Sequence, residues 1–246
     1  MKPAVVIPAY NEAATIAGIA RRARAVVDQV IVVDDGSTDA TAAQLDELDV
    51  TLLRNSHNRG KAASIWHGAI HAIEQGADVV ITLDGDGQHS PEDIPRLLEE
   101  YVANPGCIVI GARVLGRENA PWLRAFSNRQ ADFWISWAAG YPIRDTQSGF
   151  RAYPDSVFRE VMAPHDVAHG FVFESDILIQ AARSGIYSRG VPIDTVYHKH
   201  EGARSSHYHP VYDSLRIIRQ VGWRLISRGM YPLGLLRALG LLPLPR

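Results

Sequence analysis

Val79-Val80-Ile81-Thr82-Leu83-Asp84-Gly85-Asp86-Gly87-Gln88-His89 reads as a buried strand that stops at two carboxylates, each followed by glycine. The β-branched and aliphatic run suits a strand covered on both faces. If the backbone stays extended, Asp84 and Asp86 project to one side, because side chains alternate with period two. Like charges held that close repel unless a cation sits between them. A hard divalent ion with oxygen ligands fits, and a diphosphate could complete its shell. On these residues alone an unliganded Asp-Gly turn is the alternative; the rest of the chain argues against it.

The chain of 246 residues can bury a substantial core as one large domain or two small ones. A net charge of −2 with 21% charged residues gives no basic excess, so nucleic acid is not an expected partner. Cys107 is the single cysteine, which excludes an internal disulfide and suits a reducing compartment. The first residues, Met1 to Pro8, turn polar too soon for a signal peptide, and no long uncharged apolar run offers a membrane span. The expectation is a cytoplasmic protein.

Working outward, residues 4–7 read as a first strand stopped by Pro8, and residues 13–27 as a helix that Asn11 could cap, with Glu12 in its first turn. Strand 30–33 ends in Asp34-Asp35-Gly36-Ser37, a helix covers 40–48, and strand 50–53 precedes a loop from Asn55 to Lys61. A helix over 62–75 then leads to the strand at Val79. Strand and helix in alternation imply a parallel sheet with right-handed crossovers. Its carboxyl ends form the ligand crevice, so Tyr10, Asp35, Lys61 and Asp84 converge although they are distant in sequence. Neither GxGxxG nor GxxxxGK[ST] is present. A nucleotide must be held otherwise: Asp35 can accept from a base N–H or a ribose hydroxyl, Tyr10 can stack, and the diphosphate goes to metal and cations.

Pro8-Ala9-Tyr10-Asn11-Glu12, Asp34-Asp35-Gly36-Ser37, Asn58-Arg59-Gly60-Lys61 and Asp84-Gly85-Asp86-Gly87-Gln88-His89 together resemble, in order and spacing, the family 2 glycosyltransferases of the GT-A fold. Asp145-Thr146-Gln147-Ser148-Gly149-Phe150-Arg151-Ala152-Tyr153 resembles the branch of dolichol-phosphate mannosyltransferase and its polyprenyl-phosphate relatives, in the single-domain form. The resemblance covers residues 3–210. It implies a Rossmann-like α/β fold, a mixed, mostly parallel sheet flanked by helices. It places Pro8, Ala9, Tyr10, Asn11, Glu12, Asp35, Lys61 and Gly85 about the nucleotide sugar. It implies Asp84, Asp86 and Gln88 as ligands of Mg2+ or Mn2+ on the donor diphosphate. Arg204 and Ser205 fall where related enzymes bring a cation onto that diphosphate from a mobile flap.

After a strand at 107–111 the chain turns basic, with Arg113, Arg117, Arg124, Arg129 and Arg151. Arginine suits bidentate phosphate contacts, although most arginines lie on solvated faces. Trp122, Phe126, Phe133, Trp134, Trp137 and Tyr141 are core candidates or the wall of a lipid groove. A sugar hydroxyl acceptor needs a general base. A lipid monophosphate, with a second pKa of about 6, needs only cations to align it. Glu174 is the competing candidate, as a base, a sugar-hydroxyl contact or a helix N-terminal charge. The catalytic set expected is thus Asp86, Arg113, Arg151, Glu174 and Arg204. Two His-x-His pairs, at 198–200 and 207–209, are read as loop residues rather than a zinc site.

From 214 to 246 there are six arginines and no acid, and Leu215, Ile218, Val221, Leu225 and Ile226 share a helical face. This tail either lies on an anionic leaflet or covers apolar surface of the protein. The expected organisation is a catalytic domain over 1–213, divided into a nucleotide-sugar half (1–106) and an acceptor half (107–213), followed by an amphipathic basic helical tail (214–246). The expected function is inverting, metal-dependent transfer of a hexose, mannose from GDP-mannose first, to a polyprenyl or dolichyl phosphate at the cytosolic membrane face. A UDP-sugar donor or a glycan hydroxyl acceptor is the alternative. A nucleotidyltransferase or a non-catalytic nucleotide-sugar binder ranks below both.

Overall fold

The computed structural model describes residues 1–115, 122–161, 172–194, 218–219 and 221–243. A seven-stranded sheet forms its centre: β1 (Pro3–Ala9), β2 (Gln29–Asp34), β3 (Thr51–Arg54), β4 (Val79–Thr82), β5 (Ile108–Leu115), β6 (Arg151–Pro154) and β7 (Ser188–Asp194), in the order β3-β2-β1-β4-β6-β5-β7. β1 pairs in parallel with β2 and β4, and β2 with β3. β6 is antiparallel to both β4 and β5, while β5 and β7 are parallel. Helices α1 (Ile16–Arg24), α2 (Lys61–Glu74), α3 (Ile94–Ala103), α4 (Trp122–Ala139) and α5 (Val172–Arg183) flank the sheet, α6 (Pro232–Ala238) packs on α4, and residues 221–226 are also helical.

Both faces of the sheet are covered, and the period of two sorts the side chains between them. Ala4, Val6, Ile31 and Val33 join the core under α2, α4 and α5. Val5, Ile7, Val30 and Val32 join the core under α1 and α3. Gly68 lets α2 close on the sheet. A Cβ there would stand 2.5 Å from Val6 Cγ1 and 2.9 Å from Val33 Cγ2.

Several boundaries differ from the sequence expectation for local reasons. Pro8 does not stop β1. The Leu83 N–H donates to the Val6 carbonyl, so Pro8, two residues on, faces the same side just beyond the last β1–β4 bond, where no donor is needed. Asn11 does not cap α1. It adopts φ 57°, and its side-chain oxygen accepts from the N–H groups of Thr38 (2.8 Å) and Asp39 (3.3 Å). The helix starts later, at Ile16, because the Asn11 and Glu12 N–H groups donate to Ser37 Oγ and Thr41 Oγ1. The helix expected over 40–48 is reduced to one 3-10 turn, Ala42–Leu45; Asp46, Glu47 and Asp49 crowd its carboxyl end, where the helix dipole disfavours negative charge. α3 and β6 lie outside the sequence expectation. Val221 and Leu225, from the tail, are buried in the core beneath α4 and α5.

Gly68→Val is expected to lower the unfolding free energy by about 1–3 kcal/mol through overpacking. Gly18→Ala, at an exposed position of α1 with nothing within 4 Å of the new Cβ, is expected to raise it by about 0.5–1 kcal/mol. Denaturant unfolding of both variants checks the pair.

Candidate active site

The site is built on the sheet edge where β1, β2 and β4 end. Gly85 lies against the β1 end: a Cβ on it would stand 3.2 Å from the Pro8 carbonyl and 3.6 Å from Glu12 Cγ. Thr15 Oγ1 fastens this contact by donating to the Gly85 carbonyl at 2.6 Å. Pro8 and Tyr10 are half-buried above it. At the β2 end, Asp35 is buried and both carboxylate oxygens point into the following loop. Oδ1 accepts from Asn55 Nδ2 (2.7 Å) and the Arg59 N–H (2.9 Å), and Oδ2 from the Gly60 N–H (2.8 Å). That bracing delivers Lys61, the first residue of α2.

Lys61 is shared between two carboxylates. Its Nζ is 2.7 Å from Asp84 Oδ1 and 2.9 Å from Glu174 Oε1. Burial works against the ammonium, but Asp84 and Glu174 outweigh it and raise the Lys61 pKa. Burial likewise opposes the Asp84 carboxylate, and Lys61 reverses the balance and holds its pKa down. Asp86 shifts the other way. Desolvation, then the Asp84 charge, pushes its carboxyl up, against the Gln88 N–H that donates to it at 3.0 Å. Glu174 is buried, and its second oxygen, Oε2, has no hydrogen-bond partner among the described residues.

Gly149 closes the trio. A Cβ there would stand 2.7 Å from Asp84 Oδ2 and 2.8 Å from Lys61 Nζ. Its loop is held by Thr82 Oγ1, which donates to the Gly149 carbonyl (2.6 Å), and by Ser148 Oγ, which donates to the Gly111 carbonyl (2.7 Å). Arg151 is wholly buried and donates to the carbonyls of Ser148 (2.7 Å), Thr146 (2.8 Å) and Glu174 (2.8 Å). Arg113 grips Asp145 through Nε (2.9 Å) and Nη2 (2.7 Å). Asp132 on α4 accepts from the N–H and hydroxyl of Thr146 at 2.8 and 2.7 Å. His89 is buried against the Phe150 ring, 5.5 Å between centroids, with Nδ1 unpartnered; burial pushes its pKa down to about 4.

The profile described as Glycosyl transferase family 2 matches residues 4–162. The chain belongs to that family. Among curated relatives of this glycosyltransferase, an undecaprenyl-phosphate mannosyltransferase of Micrococcus luteus is 32% identical over 212 residues, covering 80% of this chain and 84% of that one. A polyprenol monophosphomannose synthase of Mycolicibacterium smegmatis is 31% identical over 200 residues, 77% and 75% of the two chains. A UDP-N-acetylglucosamine–dolichyl-phosphate N-acetylglucosaminyltransferase of Methanococcus voltae is 29% identical over 223 residues, 82% and 88%. Glucosyl-3-phosphoglycerate synthase from Mycobacterium tuberculosis superposes with a TM-score of 0.67 at 20% identity, covering 94% of this chain and 81% of that one, which shows the GT-A fold.

In the glycosyltransferase, Pro8, Glu12, Lys61, Asp84, Gly85 and Glu174 come together through the contacts above. Ala9 is buried, its carbonyl accepting from the Asp35 N–H at 2.8 Å. Asn11 serves the 37–39 turn. Arg151 is not placed to grip a phosphate: its guanidinium is enclosed and directed at main-chain carbonyls, so it braces the site. Asp35 accepts from its own loop rather than presenting open oxygens to a base. Arg117, Arg204, Ser205 and the histidine pairs lie outside the described residues, as does the Arg124 side chain. Among the described residues no three His, Cys, Asp or Glu side chains converge as a metal cluster; Asp84, Asp86 and Gln88, the ligands the resemblance implies, follow one another in the turn after β4. Sequence reasoning passed over Asn55, Asp132, His89 and Gly149. Of these His89 and Gly149 left a sign, in the Asp84–His89 and Asp145–Tyr153 motifs.

Lys61→Met leaves two carboxylates without their shared cation and is expected to lower stability by roughly 1–3 kcal/mol, less than for a fully enclosed pair because the ammonium is partly exposed. Glu174→Gln in the same chain is expected to restore part of that loss; a thermal or denaturant double-mutant cycle measures the coupling.

Proposed function

We propose that the protein transfers a hexose from a nucleotide sugar to a polyprenyl phosphate, with GDP-mannose as the first donor to test. The observation that carries this reading is the Lys61 bridge between Asp84 and Glu174. Among the described residues of the acceptor half, the acids beside the site are paired with cations, Glu174 through Oε1 with Lys61 and Asp145 with Arg113, which leaves Glu174 Oε2 as the one oxygen a base role would have to use. A hydroxyl acceptor would need a base to take its proton. A phosphate monoester arrives as an oxyanion and needs none. The relatives whose names specify undecaprenyl phosphate, polyprenol monophosphate and dolichyl phosphate support the same acceptor class. Two of those names specify mannose, which favours GDP-mannose; the Methanococcus voltae relative's name favours UDP-N-acetylglucosamine as the second donor to try.

In this reading the acceptor oxygen attacks the anomeric carbon as the bond to the nucleoside diphosphate breaks, inverting that centre in one displacement. Tyr10 and Pro8 pack on the nucleoside, and the loop braced by Asp35 walls it. The orphaned Glu174 Oε2 accepts from a hydroxyl of the donor sugar, which satisfies a buried oxygen and orients the ring. Lys61 stays on the diphosphate side of that sugar and meets charge as it develops. The raised Asp86 carboxyl fits a divalent cation held by Asp84, Asp86 and Gln88. Such a cation, Mg2+ or Mn2+, would stabilise the departing diphosphate. The fold neighbour's Mn2+ and UDP complex supports that class of ion. Arg113 is the described cation nearest the acceptor role, with Arg117 and Arg204 as further candidates.

A panel of radiolabelled GDP- and UDP-sugars with a short polyprenyl phosphate and Mn2+ tests this directly. Label is expected to move into organic solvent with one donor, and Asp86→Ala and Gly149→Ala are each expected to lower that rate at least about 100-fold with the fold kept. Undiminished transfer after chelation of the metal would remove the ion from the reading. Label that stays aqueous with every donor would remove the lipid phosphate.

A further inference from the structure

The tail is docked into a built socket. Gly229, Met230 and Tyr231 all take positive φ, 59°, 62° and 37°, turning the chain back between the helical residues 221–226 and α6. Trp137 Nε1 on α4 donates to the carbonyls of Met230 (3.0 Å) and Tyr231 (3.2 Å). The Tyr231 ring fits over Gly140 and Gly234, where a Cβ would come within 2.7 Å and 2.2 Å of it. Arg224 makes a bidentate pair with Asp176 on α5 at 3.0 and 2.9 Å. Val221 and Leu225 are buried in the core.

What the socket holds up is apolar surface. Nine of the twelve exposed large hydrophobic side chains among the described residues lie between 218 and 242, so the exposed apolar surface is concentrated on this segment rather than scattered singly. Trp223 and Ile226 are each 65% exposed, with Leu233, Leu236 and Leu239 beside them and Trp134 of α4 across the contact. The segment from 214 to 246 carries six arginines and no acid, and Arg219 and Arg228 are exposed. No helix among the described residues is long and apolar enough to cross a membrane.

We infer that this face, formed by α6, the helical residues 221–226 and Trp134, lies in the surface of an anionic bilayer. Apolar side chains with tryptophan at the rim and arginine around them suit the headgroup boundary, where chains enter hydrocarbon and cations meet lipid phosphate. A second copy of the chain is the weaker occupant: a twofold contact sets the same patch against itself, arginine facing arginine with no acid in the segment to compensate. The inference rests on the docked tail and goes beyond the acceptor assignment. The geometry links the two, since α5 carries Glu174 in the site and Asp176 at the tail, and α4 carries Asp132 behind the 145–146 loop and Trp134 on the face.

The test is cosedimentation of the full chain with phosphatidylcholine vesicles, with and without about 30% phosphatidylglycerol. Binding is expected with the anionic lipid, weaker without it and weaker as salt rises. Trp223→Ser with Ile226→Asp is expected to lower binding about tenfold or more, and Arg219→Glu to remove most of the dependence on phosphatidylglycerol. Circular dichroism melts and transfer to a short-chain acceptor in detergent should stay near the parent's, which separates loss of docking from loss of fold or catalysis. Equal sedimentation of parent and variants, or a parent that stays in the supernatant, overturns the inference. So does a dimer by light scattering that the same substitutions split. Vesicle binding by a protein that transfers to no lipid phosphate would sustain this inference while removing the acceptor reading.

Discussion

An ammonium ion between two carboxylates holds the site together. Lys61 begins α2, Asp84 lies just past the end of β4 and Glu174 lies in the first turn of α5, so one cation joins three segments that are far apart in sequence. Its position depends on packing at a distance. α2 can bring Lys61 down to the sheet edge because Gly68 offers no Cβ to Val6 and Val33, and the trio can close because Gly149 offers none to Asp84 or Lys61. Against the cost of burial Lys61 holds the Asp84 carboxyl down, while desolvation and then the Asp84 charge hold the Asp86 carboxyl up.

The arginines divide into two kinds. Arg151 points its guanidinium at main-chain carbonyls and is enclosed, so it fixes the 146–149 loop against α5. Arg113 faces Asp145 in the fork geometry that arginine makes with carboxylates. Asp145 is itself held with φ 52° by Asp132, which accepts from the Asp145 N–H at 3.2 Å. A buried cation with satisfied donors rigidifies a site; it is not available to a substrate. Composition made both arginines equal candidates for phosphate, and burial separates them.

How far the residues could be read in advance follows from range. The β-branched runs of β1, β2 and β4 gave themselves away by composition and by the polar residues at their ends, and the carboxylate turn at 84–86 marked the sheet edge where Lys61 and Glu174 meet Asp84. Local competition defeated the helix boundaries. Asn11 turned its side chain to Thr38 and Asp39, whose sequence separation hides them from any capping rule, and the acids after Leu45 cut the second helix to a turn. Asp35 was legible as a site residue, but its partners Asn55, Arg59 and Gly60 were legible only once β2 and β3 were paired. Arg151 looked like a ligand for phosphate because burial has no mark in a short polar motif.

The least legible feature is the one that completes the site. In a parallel sheet the loops at one edge all follow strands, so a motif that precedes a strand should lie at the opposite edge. Asp145–Phe150 precedes β6, and yet Gly149 touches Asp84. The reversal of β6 accounts for this. Because β6 runs antiparallel to β4 with Thr82 opposite Arg151, its incoming loop arrives where the outgoing loop of β4 departs. Gly149 then falls opposite Asp84 by register alone. One antiparallel strand in an otherwise parallel sheet brings a loop from the second half of the chain to the Lys61–Asp84 pair. A slip of one residue in that pairing would replace Gly149 by Ser148 or Phe150 at the trio, and either side chain would occupy the space that Lys61 and Asp84 now share.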